Sequence, residues 1–206
     1  MQVINGSLSK VLISIGFVSA AFIAYDTFAK NTVEDLGANN KLAQSGIFDD
    51  WESGSVILLI RHEERCDRSS NPCLGPEDGI TLFGSQKAKE TGALIRSHFL
   101  LDNSDIFTSP TTRTVQTSEF MLGKSILLPG RETICGSDIV KKLQKHKVVN
   151  KNLIVVTHNT CINDLVKASN YKKSDNPEYG SLLFAKISNA NKMHIFGKLN
   201  PGDQPR

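Results

Sequence analysis

The stretch Ser55 to Asp67, S-V-I-L-L-I-R-H-E-E-R-C-D, decides how the rest of the chain is read. Val56 to Ile60 is an unbroken apolar run rich in β-branched residues, the pattern of a strand buried on both faces. It stops at Arg61, His62, Glu63, Glu64 and Arg65. A buried strand ending in a burst of charge predicts that those charges reach the carboxyl edge of a parallel sheet, where α/β proteins bind ligands. Two arginines around a histidine then suit phosphoryl chemistry. Guanidinium forks hold the oxygens by paired hydrogen bonds, and a neutral imidazole can attack the phosphorus. A solvated loop of alternating charge fits the same five residues, because so short a pattern recurs by chance. Two further stretches separate these readings.

Downstream, Asp67 to Gly79 is rich in Ser, Asn, Pro, Gly and Asp and reads as a loop. Thr81 caps a predicted helix whose apolar face, Leu82, Phe83, Ala88, Leu94, Ile95 and Phe99, runs on to Leu101. Asp105 to Thr108 is a short strand. Pro110 to Leu122 is a second helix, with Pro110 in its first turn, where a missing N–H costs nothing. Arg113 falls in that turn, S-P-T-T-R-T-V-Q-T. A cation beside the positive end of a helix dipole is poorly placed unless an anion is shared between them. An exposed surface arginine is the alternative.

Ser125 to Leu128 reads as a third strand, Pro129-Gly130 as a turn and Arg131 to Gly136 as a loop. Ser137 or Asp138 caps a helix to about Lys147. Leu153 to Thr157, L-I-V-V-T, is the second fully buried strand, and it ends in His158, followed by a helix from about Ile162 to Ala168. A structural histidine is the alternative for His158. Two strand tips that each carry one of the chain's five histidines favour a shared site. His98, His146 and His194 lack arginine neighbours and receive no chemistry. Leu182 to Ile187 and Met193 to Phe196 form a predicted closing hairpin.

The 206 residues suffice for one domain with a full core, or at most two small ones. A formal net charge of +3 lacks the concentrated basic stripe of a nucleic-acid binder. Lys10 precedes the apolar run Val11 to Tyr25, and Thr27-Phe28-Ala29 follows, so residues 1–29 read as a signal peptide or an N-terminal anchor. Residues 30–54 read as a lead-in with one short helix, and 55–200 as the domain. Cys66, Cys73, Cys135 and Cys161 are an even set in a chain with an export signal, which favours disulfides over zinc, there being no C-x-x-C pair. Of three pairings, Cys66–Cys73 closes a short loop past the charged strand end, and Cys135–Cys161 ties two segments that leave strand ends.

Arg61-His62 after a buried strand, S-P-x-x-R-x-x-Q-T around Arg113 and a later strand-end His158 together resemble the histidine phosphatase superfamily, over roughly Val56 to Phe196. More narrowly, R-H-E-E-R-C-D-R-S-S-N-P-C at Arg61 to Cys73, C-G-S-D-I at Cys135 to Ile139 and T-H-N-T-C at Thr157 to Cys161 are similar to the periplasmic lipopolysaccharide core heptose(II)-phosphate phosphatases. The resemblance implies a three-layer α/β/α sandwich with a mostly parallel sheet and a hydrolase that needs no cofactor and no metal. It implies His62 as nucleophile and Arg61, Arg65, Arg113 and His158 as the phosphoryl pocket, with a core heptose phosphate as substrate in the periplasm. Glu63 departs from the wider superfamily, which usually has a small residue there. The acid for the leaving alkoxide stays open among Asp138, Glu132 and Glu64, Glu64 being also a candidate to orient Arg65. Another periplasmic phosphosugar or a phosphoprotein is an alternative substrate, and a non-catalytic module gripping anionic glycans is the alternative to an enzyme.

Overall fold

The computed structural model describes residues 32–172, 176–188 and 192–202. The chain divides into Met1–Thr32 and Val33–Arg206, and the architecture that follows belongs to the second unit. The segment read as a signal or anchor lies outside the described residues. Among those described, no helix is long and apolar enough to cross a membrane.

The apolar run of the opening stretch forms β1, Val56–Arg61, at the centre of a five-stranded sheet. It pairs in parallel with β3, Asn152–Thr157, which pairs in parallel with β2, Ser104–Thr108. On its other side lie β4, Leu182–Ile187, and β5, Met193–Leu199, both joined by antiparallel pairings. The order is β2-β3-β1-β4-β5. The expected parallel core is present, extended at one edge by the expected hairpin. Side chains of β1 alternate between two cores, and Val56 to Ile60 are all fully buried. Val56, Leu58 and Ile60 join one core with Leu36, Leu42, Ile47, Trp51, Ala88, Ile95 and Met121. Ile57 and Leu59 join the other with Ile139, Leu143, Ile162 and Leu165.

The helices behind these residues supply the outer layers. On the first face lie α1 (Lys41–Gln44), α2 (Ile47–Glu52), α3 (Leu82–His98) and α4 (Thr112–Leu122). On the second lie α5 (Ile139–His146) and α6 (Asn159–Ala168). The stretch read as a lead-in thus supplies two short helices, and it adds Leu36, Leu42, Ile47 and Trp51 to the first core and Val33 to the second. Buried Asn152 ties it to the sheet. Its side chain donates to the Trp51 carbonyl at 2.9 Å and accepts from the Val56 N–H at 3.0 Å.

Several expected elements differ. Helix α3 ends at His98 and not at Leu101. Ser125 to Leu128 is not a strand: it makes a single parallel bridge, Thr108 with Leu127, in which the Thr108 N–H donates to the Ile126 carbonyl and the Leu128 N–H donates to the Thr108 carbonyl, before Pro129 turns the chain. Pro110 precedes helix α4, whose N-cap is Thr111. Helix α6 begins three residues earlier than expected, with His158 itself as N-cap. Thr81 caps α3 as its position suggests, accepting from the Gly84 N–H at 2.9 Å.

Candidate active site

The carboxyl ends of β1 and β3 lie side by side, with Arg61 in register with Thr157, so the residues that follow both strands meet at one edge of the sheet. The His62 N–H donates to the Thr157 carbonyl at 2.9 Å, which holds the backbones together one residue further. The His62 and His158 rings consequently approach edge to face, with centroids 5.3 Å apart. His62 is only 3% exposed, and His158 is partly buried.

The tautomer of His62 follows from its neighbour. Its Nδ1 lies 2.7 Å from the Glu63 carbonyl oxygen, which can only accept, so Nδ1 carries the proton and donates. Nε2 then keeps its lone pair. Burial, the largest cause, pushes the His62 pKa down to about 3, helped by His158, Arg113 and Arg61 and opposed by the bond to Glu63. His158 falls to about 4 through burial and then the charges of Arg113, Arg65 and Arg61. Both imidazoles are therefore neutral at pH 7, and His62 keeps a lone pair on Nε2.

Three arginines set the field around them. Arg113 occupies the first turn of α4, which has no acidic residue, and its Nε is buried with no hydrogen-bond partner. Arg61 also has a buried, unpartnered Nε, while its Nη1 donates to the Pro177 carbonyl. Burial lowers the pKa of both guanidiniums, without threatening their charge. Arg65 is gripped by the Asp67 carboxylate through Nε and Nη2. Buried donors on fixed cations beside two neutral imidazoles suit an oxyanion.

The loop that carries Arg65 is braced from within. Both expected disulfides are present, Cys66–Cys73 and Cys135–Cys161. The Glu64 carboxylate accepts from Asn71 and from Thr81, each at 2.8 Å, so it links the loop to the cap of α3 and does not hold Arg65. Burial would raise its pKa, but hydrogen bonds from Asn71, Thr81 and Ser69 outweigh that and hold it low. Gln116 and Thr117 of the S-P-x-x-R-x-x-Q-T stretch belong to the same frame. Gln116 accepts from the Ile80 N–H at 2.8 Å and donates to the Gly75 carbonyl at 2.6 Å, and Thr117 accepts from the Glu63 N–H at 2.9 Å.

The other two carboxylates bond to α5. Glu132 pairs with His146 and with Lys145, and its pKa is lowered first by the His146 hydrogen bond. Exposed Asp138 pairs with Lys142 at 2.9 Å, which lowers its pKa. It occupies the N-cap of α5 without a side-chain capping bond, and borders a groove of about 630 Å³ with Lys141, Ser169 and Asn170.

Glu63 is 2% exposed, and burial pushes its pKa up to about 8, so its carboxyl is neutral at pH 7. Two glycines make room for this bulk. A Cβ at Gly84 would lie 3.2 Å from the Glu63 Cβ, and one at Gly180 only 2.4 Å from its Oε1. The sequence reading passes over Tyr179, whose ring centroid lies 5.8 Å from that of His62 and 3.9 Å below the Arg61 guanidinium carbon. Its one signal is the Pro-Glu-Tyr-Gly turn ahead of β4.

No family model matches the chain. A lipopolysaccharide core heptose(II)-phosphate phosphatase of Salmonella newport (strain SL254) is 35% identical over 150 residues, covering 71% of this chain and 73% of the relative. The Salmonella typhimurium (strain LT2) protein of that name matches with the same identity and coverage. Among solved structures, the protein histidine phosphatase SixA complexed with tungstate superposes with a TM-score of 0.52 at 14% identity, over 71% of this chain and 97% of that one. A phosphoserine phosphatase from Entamoeba histolytica in complex with 3-phosphoglyceric acid gives 0.50 at 17% identity, over 72% and 98%. The structural likenesses identify the fold, and the 35% identity the family: the chain belongs to the lipopolysaccharide core heptose(II)-phosphate phosphatases.

Proposed function

We propose that this protein is a phosphomonoesterase that removes phosphate from a heptose of the lipopolysaccharide core, acting in the periplasm of a Gram-negative bacterium. The observation that carries the reading is the buried, neutral His62, whose Nδ1–H is committed to the Glu63 carbonyl and whose Nε2 is left as a nucleophile beside His158. The names of the relatives supply the substrate class.

In this mechanism Arg61, Arg65, Arg113 and His158 hold the phosphoryl oxygens. The His62 Nε2 forms a bond to phosphorus as the bond to the sugar oxygen breaks, giving a phosphohistidine and a sugar alkoxide. Water then attacks the phosphohistidine, releasing inorganic phosphate and restoring the imidazole. Phosphoryl transfer relies mainly on alignment and on stabilising charge on the equatorial oxygens, which fixed arginines provide. Glu64, Glu132 and Asp138 are all held ionised by their partners, so none stores a proton for the alkoxide in the free protein. We assign that proton to His158, because a bound phosphoryl dianion offsets the arginine charges that depress its pKa.

The test is mass spectrometry of phosphorylated core oligosaccharide incubated with purified protein. The expected product lacks one phosphate on a heptose. An unchanged oligosaccharide, together with hydrolysis of other phosphosugars, would reassign the substrate.

A further inference from the structure

Arg61 is held by a turn far away in the chain. Its N–H donates to the Ser181 carbonyl at 2.9 Å, and its own carbonyl accepts from the Gly180 N–H at 3.2 Å. Its Nη1 reaches the Pro177 carbonyl, 116 positions away, and its guanidinium carbon stands 3.9 Å from the Tyr179 ring centroid. Four of five consecutive residues thus secure the backbone and side chain of one arginine. The turn is itself stiff. Gly180 has φ +73°, Pro177 is buried, and both the N–H and the hydroxyl of Ser181 donate to the Glu178 carbonyl. Glu63 packs against Gly180 from behind.

A guanidinium can be held in two ways. A carboxylate grips it edge-on and takes two of its in-plane N–H groups, as Asp67 does at Nε and Nη2 of Arg65. An aromatic ring takes the face and leaves the in-plane donors free for an anion. Tyr179 does the second.

We infer that Tyr179 is a positioning residue of the phosphoryl site, stacking Arg61 so that its unspent N–H groups are aimed before the phosphate arrives. The inference rests on the function proposed above. It predicts that the tyrosine acts through Arg61 alone, chiefly by its ring face, with the hydroxyl adding a side-chain hydrogen bond to the same arginine.

The experiment is a double-mutant cycle read by calorimetric binding of inorganic phosphate, with folding checked by circular dichroism. Tyr179→Leu is expected to weaken phosphate about tenfold in the wild-type background and less than about twofold in an Arg61→Gln background. Tyr179→Phe is expected to stay within about threefold of wild type. Should Tyr179→Leu fail to fold, Tyr179→His, which keeps a smaller ring, takes its place in the cycle and must lose less than tenfold. Equal losses in both backgrounds, no loss on removing the ring, or a phenylalanine variant as impaired as the leucine one would overturn the inference. Unchanged phosphate binding in Arg61→Gln alone would instead remove the arginine from the anion site, and the proposed function would fail with it.

Discussion

The Nδ1–H of His62 donates to the carbonyl of the next residue, Glu63, at 2.7 Å. That bond decides which ring nitrogen keeps its lone pair, and burial decides that the ring is unprotonated. If so, neither His62 nor His158 titrates near the ordinary histidine value of 6.5. In ¹⁵N-resolved NMR both rings are expected to stay neutral from pH 8 to pH 5, with His62 showing the Nδ1–H tautomer. Saturating phosphate should raise the His158 pKa by offsetting the arginine charges. A midpoint near 6.5 for either ring in the free protein would contradict the assigned electrostatics.

Glu63 supplies a prediction about stability. Its carboxyl has a raised pKa, from 4.5 to about 8, so the native state holds a proton that the unfolded chain releases. Stability from this group is therefore full below about pH 4.5 and is lost as pH rises towards 8, a cost on the order of 3 kcal/mol at pH 7. Glu63→Gln does not titrate. Its thermal stability relative to wild type should climb between pH 5 and pH 8, and a pH-independent difference would refute the burial assigned here.

In the proposed mechanism Arg113 acts as a fork and not as a bare charge. Arg113→Ala should lower kcat/KM on an aryl phosphate about a hundredfold or more, with little change in melting temperature. Arg113→Lys should recover only a minor part of that loss, since a lysine lacks the paired planar donors. Full activity in the lysine variant would reduce Arg113 to a source of positive potential.

The placement of α4, and with it Arg113, depends on Gly92. A Cβ there would lie 2.0 Å from the Met121 carbonyl oxygen. Alanine favours a helix interior by about 1 kcal/mol over glycine. Overpacking against backbone costs about 1–3 kcal/mol, and at 2.0 Å the upper part of that range applies. Gly92→Ala should therefore lower stability in chemical denaturation, where propensity alone would raise it.

The parts of this fold legible in the sequence are those written in local pattern. Val56 to Ile60 and Leu153 to Thr157 read as buried strands because both faces are covered, so no polar residue interrupts them. Arg61, His62 and His158 are legible as strand-end residues and Arg113 as a helix-start residue, since each position has its own local signature. Ser125 to Leu128 reads as a strand but makes one bridge, because β-pairing depends on a partner that β2 offers at its last residue, Thr108, alone. Tyr179 is illegible because its contact with Arg61 is purely tertiary. Likewise, the space for Glu63 is created by Gly84 and Gly180, neither of which stands near it in the chain.

A phosphoryl group caught on the protein during turnover tests the central claim most directly. Substrate and enzyme would be mixed, quenched at alkaline pH and digested for mass spectrometry. The expected result is one phosphoryl group on the peptide carrying His62, attached at Nε2, and its absence from an inactive His62→Ala protein. Phosphoryl transfer to a different residue, or a His62→Ala protein with wild-type turnover, would contradict the account.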